Sequence, residues 1–598
     1  MKPSSGQRIV VALGAALERI RPWHRLPRPL GLLCLMGMRI RLRLNNLYEP
    51  RTEREAPPPA GVAGRPFGRN QPLWDAPPTD DASILEPSPR EVSRRLLARD
   101  GVTREVPFLN LLAAAWLQFQ VHDWMSHGTG DAGDEIRIPL AEDDDWPGPA
   151  PGGDMIVRRT HPSDHGRRPG GPPVYDNTET HWWDGSQLYG STAAREALVR
   201  EGRGGRLRLD ADGLLPIDEE AGVELAGVNG NWWLGLSLLH TVFAREHNAI
   251  CAMLARRYPD WDDDRLFAVA RRVNAAQMAK IHTIEWTPSI LPHPTTRKAM
   301  HGNWYGALGP RASRLLRRVT RADVLIGIPG SRFDDHGVPY SLTEEFVAVY
   351  RMHPLIPDEF RFVSARTGEE VGRRTMAEVT GANARAVVDG FPTEDLVASF
   401  GVGRPGVLAL HNYPDTLRNL PRSGRDGDGA PRRIDLAAID IVRDRERGVP
   451  RYNDFRRMLR MRPAATFEEL VGGDAAAAAE LRAVYGDVER VDLMVGLYAE
   501  PLLPGFGFSE TAFRIFVLMA SRRLKSDRTF TDHYTPAYYT EEGLAWVERG
   551  TMAGVLGRNL PALFPIVDDL IDPFAPWDLP SNRRSGATAP LATAAAAA

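Results

Sequence analysis

Three short stretches of the chain concentrate side chains that do chemistry. In WLQFQVHDW, residues 116–124, Gln118 and His122 stand four apart and so share one helix face, while Asp123 points elsewhere. Imidazole carries protons near neutral pH, yet a histidine on an aromatic helix serves equally as a satisfied core residue. In THWWDGSQLYG, residues 180–190, the oxygens of Thr180, Asp184 and Ser186 follow one another through a turn. A hard cation wants many oxygens at short range, and alternate loop residues supply several; an Asx turn explains the same residues without a metal. In EEFVAVYRMHPLIPD, residues 344–358, Tyr350 and His353 are three apart on an expected helix that the following prolines end. Core packing accounts for that pair, and so does an axial ligand beside a redox-active tyrosine, because His is the common proximal ligand to haem iron.

The elements that must position these residues are helices. Apolar residues recur at helical spacing in 108–124, 232–254, 266–290 and 510–524, and strand-like alternation is rare, so one large, mainly α-helical domain is expected. Gly, Pro and Asp cluster at 131–173 and 422–432, predicting long loops. The expected division is an N-terminal helical extension and arm at 1–60, a catalytic domain at 61–580, and a disordered Ala-rich tail at 581–598.

Composition narrows the function classes. Charged residues at 25% and a net charge of -3 describe a soluble globular protein, with no nucleic-acid partner. Cys34 and Cys251 are the only cysteines and neither has metal-ligand spacing, which points to a reducing, cytoplasmic setting. No apolar run is long enough to span a bilayer. Residues 26–44, LPRPLGLLCLMGMRIRLRL, are basic and apolar without a cleavage site after them. Such a segment either packs as a core helix with surface arginines or lies in a membrane interface, giving peripheral membrane contact through the N-terminus.

Taken together, the motifs carry a resemblance. QFQVHD, THWWDGSQLYG, HTVFAREHN at 240–248, VYRMH and RERGVPRYNDFRR at 445–457 occur in the order seen in animal-type haem peroxidases and cyclooxygenases, over roughly residues 106–524. IHTIEWTPSIL at 281–291, VYRMHPLIPD, and SETAFRIFVLMASRRL at 509–524 resemble the fatty-acid α-dioxygenases in particular. The resemblance implies a large single-domain haem peroxidase-like helical fold. It makes His122 the distal histidine with Gln118 beside it, His353 the proximal ligand, and Asn453 the hydrogen-bond acceptor behind the proximal imidazole. Asp123, Thr180, Asp184, Ser186 and the Trp182 carbonyl match a calcium site. Tyr350 matches the tyrosine whose radical starts oxygenation after a peroxide activator has acted. His282, Thr287 and Arg523 match the substrate carboxylate site, with Arg522 and Arg528 as alternative anchors. The implied reaction adds O2 to C2 of a fatty acid, giving a 2-hydroperoxy acid.

Two departures from the secreted mammalian peroxidases stand out. Their distal arginine falls near Asn229, and their ester-forming carboxylates fall at Val121 and Trp232, so haem b held without a covalent bond is expected. A peroxidase oxidising small donors at the haem edge is the rival enzyme. A haem-binding protein that has lost chemistry is the rival from another class.

Overall fold

The computed structural model describes residues 4–49, 59–99, 101–128, 130, 133–144, 146, 153–165, 172–425 and 431–579. The expected tail at 581–598 lies outside them. Eight helices build and surround the site: α1 (Ser5–Ile20), α2 (Arg28–Asn45), α3 (Leu111–Val121), α4 (Leu234–Arg257), α5 (Asp263–Ile281), α6 (Pro294–Tyr305), α7 (Leu436–Glu446) and α8 (Glu510–Lys525).

Most of these helices start where the sequence supplies a cap. Ser4 and Gln7 form a capping box on α1, and Asn110, Asp262, Asp435 and Ser509 accept from backbone N–H groups at the starts of α3, α5, α7 and α8. A cap of this kind contributes about 1 kcal/mol. The sequence of α3, LLAAAWLQFQV, is apolar nearly all round, and α3 is accordingly buried against α4 rather than lying at the surface. Trp116 and Phe119 of α3 meet Phe243 of α4 at ring-centroid distances of 5.4 and 5.3 Å. α4 packs in turn along α5. The expected mainly helical, single-domain fold is what the chain adopts.

Sheet among the described residues is limited to two-stranded antiparallel hairpins. One of them corrects the expected loop at 131–173: β1 (Glu135–Pro139) pairs with β2 (Asp154–Arg158), Glu135 opposite Arg158. Ile136, Ile138, Met155 and Val157 alternate along the two strands and bury one face against Ile84, Ala438 and Val442. The alternation is confined to five residues a strand, which is why Gly and Pro around it dominate the sequence signal. A second hairpin, Leu420–Arg425 with Pro431–Ile434, stands in the other expected loop.

The N-terminal segment is a packed helix. α2 lies against α6 and α8, and the buried Arg43 donates to the Leu518 carbonyl at 3.0 Å and to Ser521 Oγ at 2.7 Å. Arg39 donates to Asn303 on α6. These arginines serve interior carbonyls and hydroxyls, so the basic pattern at 39–43 is used inside the fold.

Candidate active site

The distal residues come from the end of α3. His122 is its C-cap, directly after Val121, and its backbone N–H donates to the Gln118 carbonyl at 2.9 Å. Gln118 Oε1 accepts from Trp233 Nε1 at 2.6 Å, at the start of α4. His122 Nε2 lies 3.2 Å from His240 Nε2 of α4, the two rings nearly perpendicular. His240 Nδ1 is 2.8 Å from the Leu236 carbonyl, which can only accept. His240 therefore keeps its proton on Nδ1, and His122 Nε2 is the donor between the rings. Burial, reinforced by His240, holds the His122 pKa well below its ordinary value, and burial takes His240 down to about 4. Both rings are neutral at pH 7. His240 was missed from sequence; its signal was a histidine inside an otherwise apolar stretch, LGLSLLHTVF.

Asn229 gives its amide to Asp218 at 3.0 Å, and Trp232 packs on His240 at 4.8 Å between centroids. Neither Val121 nor Trp232 offers a carboxylate for an ester.

The proximal segment departs from expectation. The helix closes at Glu344–Ala348, Tyr350 sits in the turn that follows, and His353–Leu355 forms a separate 3-10 turn. Val349 caps the helix, so the chain has already turned ahead of Pro354, which lies inside the separate 3-10 turn where its missing N–H is not needed. The two side chains diverge. The Tyr350 ring enters an aromatic nest of Phe346, Phe516 and Trp124, at 4.9, 4.9 and 5.9 Å. The His353 imidazole backs onto α7.

Its partner there is Asp440, and Asn453 is corrected. Asn453 donates to the Ala464 carbonyl at 3.0 Å and Glu489 Oε1 at 3.1 Å, and accepts from Ala464 N at 2.9 Å. Its amide staples residues 453–464, and none of its hydrogen bonds among the described residues goes to His353. Asp440 Oδ2 lies 2.8 Å from His353 Nδ1, a short ion-pair separation in which the ring N–H is not aimed squarely at the oxygen. Arg351 bridges Asp440 at 2.6 Å and Asp444 at 2.9 Å, and Tyr413 donates to Asp440 at 3.0 Å. Burial alone would raise the Asp440 carboxyl, but His353 and Arg351 hold it below its usual range. The sequence signal was Asp440 and Asp444 four apart on one face of α7. The His353 side chain is 32% exposed although Asp440 is 2% exposed, so the ring has one guarded and one open edge. With His122 and Gln118, this donor set fits a haem held through His353.

A wide turn assembles the carboxylate residues. α5 runs into a π-helical turn, His282–Trp286, before Thr287–Ile290. In such a turn positions i and i+5 come into register, and Thr287 Oγ1 indeed donates to the His282 carbonyl at 2.7 Å. His282 stacks on Trp286 at 4.5 Å, its Nδ1 buried without a partner. Burial and then Arg523 depress its pKa to about 3. Arg523 of α8 is clamped by the His181 and Trp182 carbonyls and covers the Trp124 ring at 3.5 Å; its Nη1 is buried and unpartnered. Trp124, Trp183, His282, Thr287, Tyr350 and Arg523 line one small cavity. Arg522 is spent on the Asp335 and Val338 carbonyls, and Arg528 pairs with Asp532 in solvent. A larger, mostly apolar chamber of about 440 Å³ shares His282, Thr287 and Met300 with this cavity and continues between α2 and α8.

The oxygens of residues 180–186 also gather, beside Asp123. Asp123, directly after His122, accepts from Ser186 Oγ and from Gln187 N at 3.0 Å, while its Oδ1 is buried with no partner. Thr180 Oγ1 donates to Asp184 Oδ1 at 3.2 Å. Burial raises the Asp123 carboxyl to about 7. An orphaned buried carboxylate oxygen beside a hydroxyl and a carboxylate fits a hard cation.

Comparisons with known proteins agree with this layout. The animal haem peroxidase family matches residues 51–569. Alpha-dioxygenase 2 of Arabidopsis thaliana is 41% identical over 517 residues, 84% of this chain and 79% of that protein. Alpha-dioxygenase PIOX of Oryza sativa subsp. japonica is 37% identical over 599 residues, 94% of each. The crystal structure of Oryza sativa fatty acid alpha-dioxygenase superposes with a TM-score of 0.87 at 35% identity, covering 97% of this chain and 98% of that one. The chain belongs to the animal haem peroxidase family, among its alpha-dioxygenases.

Proposed function

We propose that this protein is a haem-dependent fatty-acid α-dioxygenase that adds O2 at C2 through a radical on Tyr350. The observation that carries the reading is one cavity in which a buried tyrosine stands beside a guanidinium with one unpartnered nitrogen, a neutral imidazole and a hydroxyl. Solved structures of the rice relative include a Tyr-to-Phe variant with palmitic acid, which supports the substrate class.

His353 would hold haem, with His122 and Gln118 beside the site, and when bound that group would supply oxidising power with a peroxide activator. Neutral His122 can take a proton from an incoming peroxide and return it. Arg523 Nη1 and His282 bind the substrate carboxylate, and the Thr287 hydroxyl joins them by turning from the His282 carbonyl, each charge-assisted hydrogen bond giving about 1.5 to 3 kcal/mol. Fixing the head group leaves C2 as the reachable position, and such positioning supplies on the order of 7 to 11 kcal/mol against the barrier. Burial pushes the Tyr350 phenol far above its ordinary pKa, so it works as a hydrogen-atom donor and not as a phenolate. The Tyr350 phenoxyl takes hydrogen from C2, O2 adds to the carbon radical, and the peroxyl takes hydrogen back from Tyr350. The product is the 2-hydroperoxy acid with the phenoxyl regenerated.

Calcium at Asp123, Thr180, Asp184, Ser186 and the Trp182 carbonyl is part of the proposal, as are the catalytic span 61–580 and a peripheral membrane contact involving the N-terminus. The two buried free cysteines accord with a cytoplasmic setting. Oxygen uptake by the haem-loaded protein across saturated and unsaturated fatty acids, with product analysis, tests the reading. Wild type should give 2-hydroperoxides or the aldehydes one carbon shorter. Tyr350→Phe should keep the Soret band and the peroxide reaction while losing fatty-acid oxygenation. Dye oxidation without fatty-acid-dependent oxygen uptake would leave a peroxidase, and a haem spectrum with neither activity would leave a haem-binding protein.

A further inference from the structure

The chamber that runs outward from His282 and Thr287 opens between two strips of chain that are both basic and apolar. Pro29, Leu32, Leu33 and Met36 of α2 form one wall, and Ala307 and Val324 stand on the other. Beyond α6, the short helices Pro310–Leu316 and Asp323–Ile326 and the turns beside them carry large apolar side chains into solvent: Leu315 is 67% exposed and Val324 51% on the helices, Leu308 64% and Val319 80% in the turns. Scattered exposed apolar residues need no explanation, but a group of them at the rim of an apolar chamber marks an interaction surface. α1, packed along α2, adds exposed Ile9, Leu13 and Ile20.

Charge selects the partner. Residues 297–326 contain seven Lys and Arg against Asp323 alone, and residues 4–48 contain eight arginines, of which Arg39 and Arg43 are used inside the fold, against Glu18 alone, in a chain of net charge -3. The remainder is therefore strongly acidic and the molecule is polarised toward the chamber mouth. Arg314 and Arg321 reach Glu548 and Asp532 only through partly exposed pairs, which water and salt weaken. Arg317 faces inward, onto the Ile326 carbonyl and the Tyr534 ring.

We infer that this lip is a lipid-docking surface: residues 308–325, with the outer side of α1 and α2, seat the chamber mouth on an anionic bilayer. Arginines alternating with Leu and Val on short exposed helices match headgroup phosphates and the acyl boundary at once. No helix among the described residues is long and apolar enough to cross a membrane, so the contact is superficial. The purpose rests on the fatty-acid reading, since a long-chain acid would pass from bilayer to Arg523 without crossing water; the binding itself does not.

The test is flotation of the haem-loaded full chain with vesicles of phosphatidylcholine, alone or mixed with phosphatidylglycerol. Binding should favour the anionic vesicles by about tenfold or more and weaken with salt. The double variant Leu315→Asp, Val319→Asp should lose about tenfold in vesicle binding while keeping its Soret band and its oxygen uptake on a short, water-soluble acid. Equal vesicle binding by wild type and double variant, or none by wild type, overturns the inference. So does a wild-type dimer in sedimentation that the double variant dissociates, because the lip would then be a self-association face. Intact vesicle binding without any oxygen uptake would strike the fatty-acid reading and leave the docking surface standing.

Discussion

At Arg523 a full positive charge sits below the surface with two carbonyls and two indole rings for company and no carboxylate in contact among the described residues. A buried charge without a counter-ion is costly, and cation–π contact recovers part of that cost. A substrate carboxylate would recover the rest. Arg523→Ala should raise KM by about 10- to 100-fold, the loss of one charged hydrogen-bond pair, and should scatter oxygen insertion beyond C2; unchanged KM and product position would move the anchor elsewhere. Residue identity was legible where a motif fixed it, as with Gln118, His122, Tyr350 and His353. It was not legible for Asp440, because which polar side chain of two neighbouring helices turns toward an imidazole depends on how those helices are rotated. Asn453 lay in the better-known motif, and its amide is engaged locally.

Elements transmit what residues cannot. The loop 180–186 hands its carbonyls at 181 and 182 to Arg523 while its Asp184 and Ser186 face Asp123 at the end of α3. Asp184→Ala should lower the melting temperature by several degrees, a loss of about 1 to 3 kcal/mol. A calcium chelator should mimic it on wild type and do nothing further to the variant, because an ion bound only to the folded state stabilises by mass action. Equal chelator sensitivity in both proteins would place the ion elsewhere or nowhere. Glu344, in the first turn of the helix before Tyr350, gives a pH test. Its carboxyl meets His127 Nε2 at 2.8 Å, and burial raises it to about 7. Below about pH 4.5 the folded and unfolded forms are both protonated. Between there and about 7 only the unfolded form ionises, so stability falls as pH rises through that window and stays lower above it. Glu344→Gln should flatten the slope and melt higher than wild type at pH 8 but not at pH 4.5, as followed by calorimetry. The helices themselves were readable from their apolar spacing. The hairpin at 135–158 and the break after Ala348 were not, since one hides in five-residue strands and the other comes five residues ahead of the proline expected to end the helix.

For the molecule as a whole, the chamber sets which acids fit. Leu33→Trp adds bulk to the α2 wall and should shift kcat/KM from long toward shorter saturated acids, with the Soret band unchanged; an unaltered chain-length profile would mean the acyl tail runs by another route. The overall architecture was the most legible level, because a long series of helical periods admits few alternatives to a large helical domain. That its N-terminal helix would wall the substrate chamber was not legible, since nothing local in residues 26–44 names a partner more than 450 positions away.

That closure between α2 and α8 has a consequence for how the protein is made. Arg43 finds the Leu518 carbonyl and Ser521 Oγ across separations of 475 and 478 residues, so α2 leaves the ribosome early and waits for nearly the whole chain to be synthesised before its buried face is covered. At about 5 to 20 residues per second that interval lasts on the order of half a minute to two minutes, during which Leu35, Met38 and Leu42 have no permanent place to go. The helix that carries Arg523 is among the last to emerge. A nascent chain therefore has no finished chamber until translation is almost over, and a chain truncated before residue 510 would lack both the anchor and the wall that encloses it.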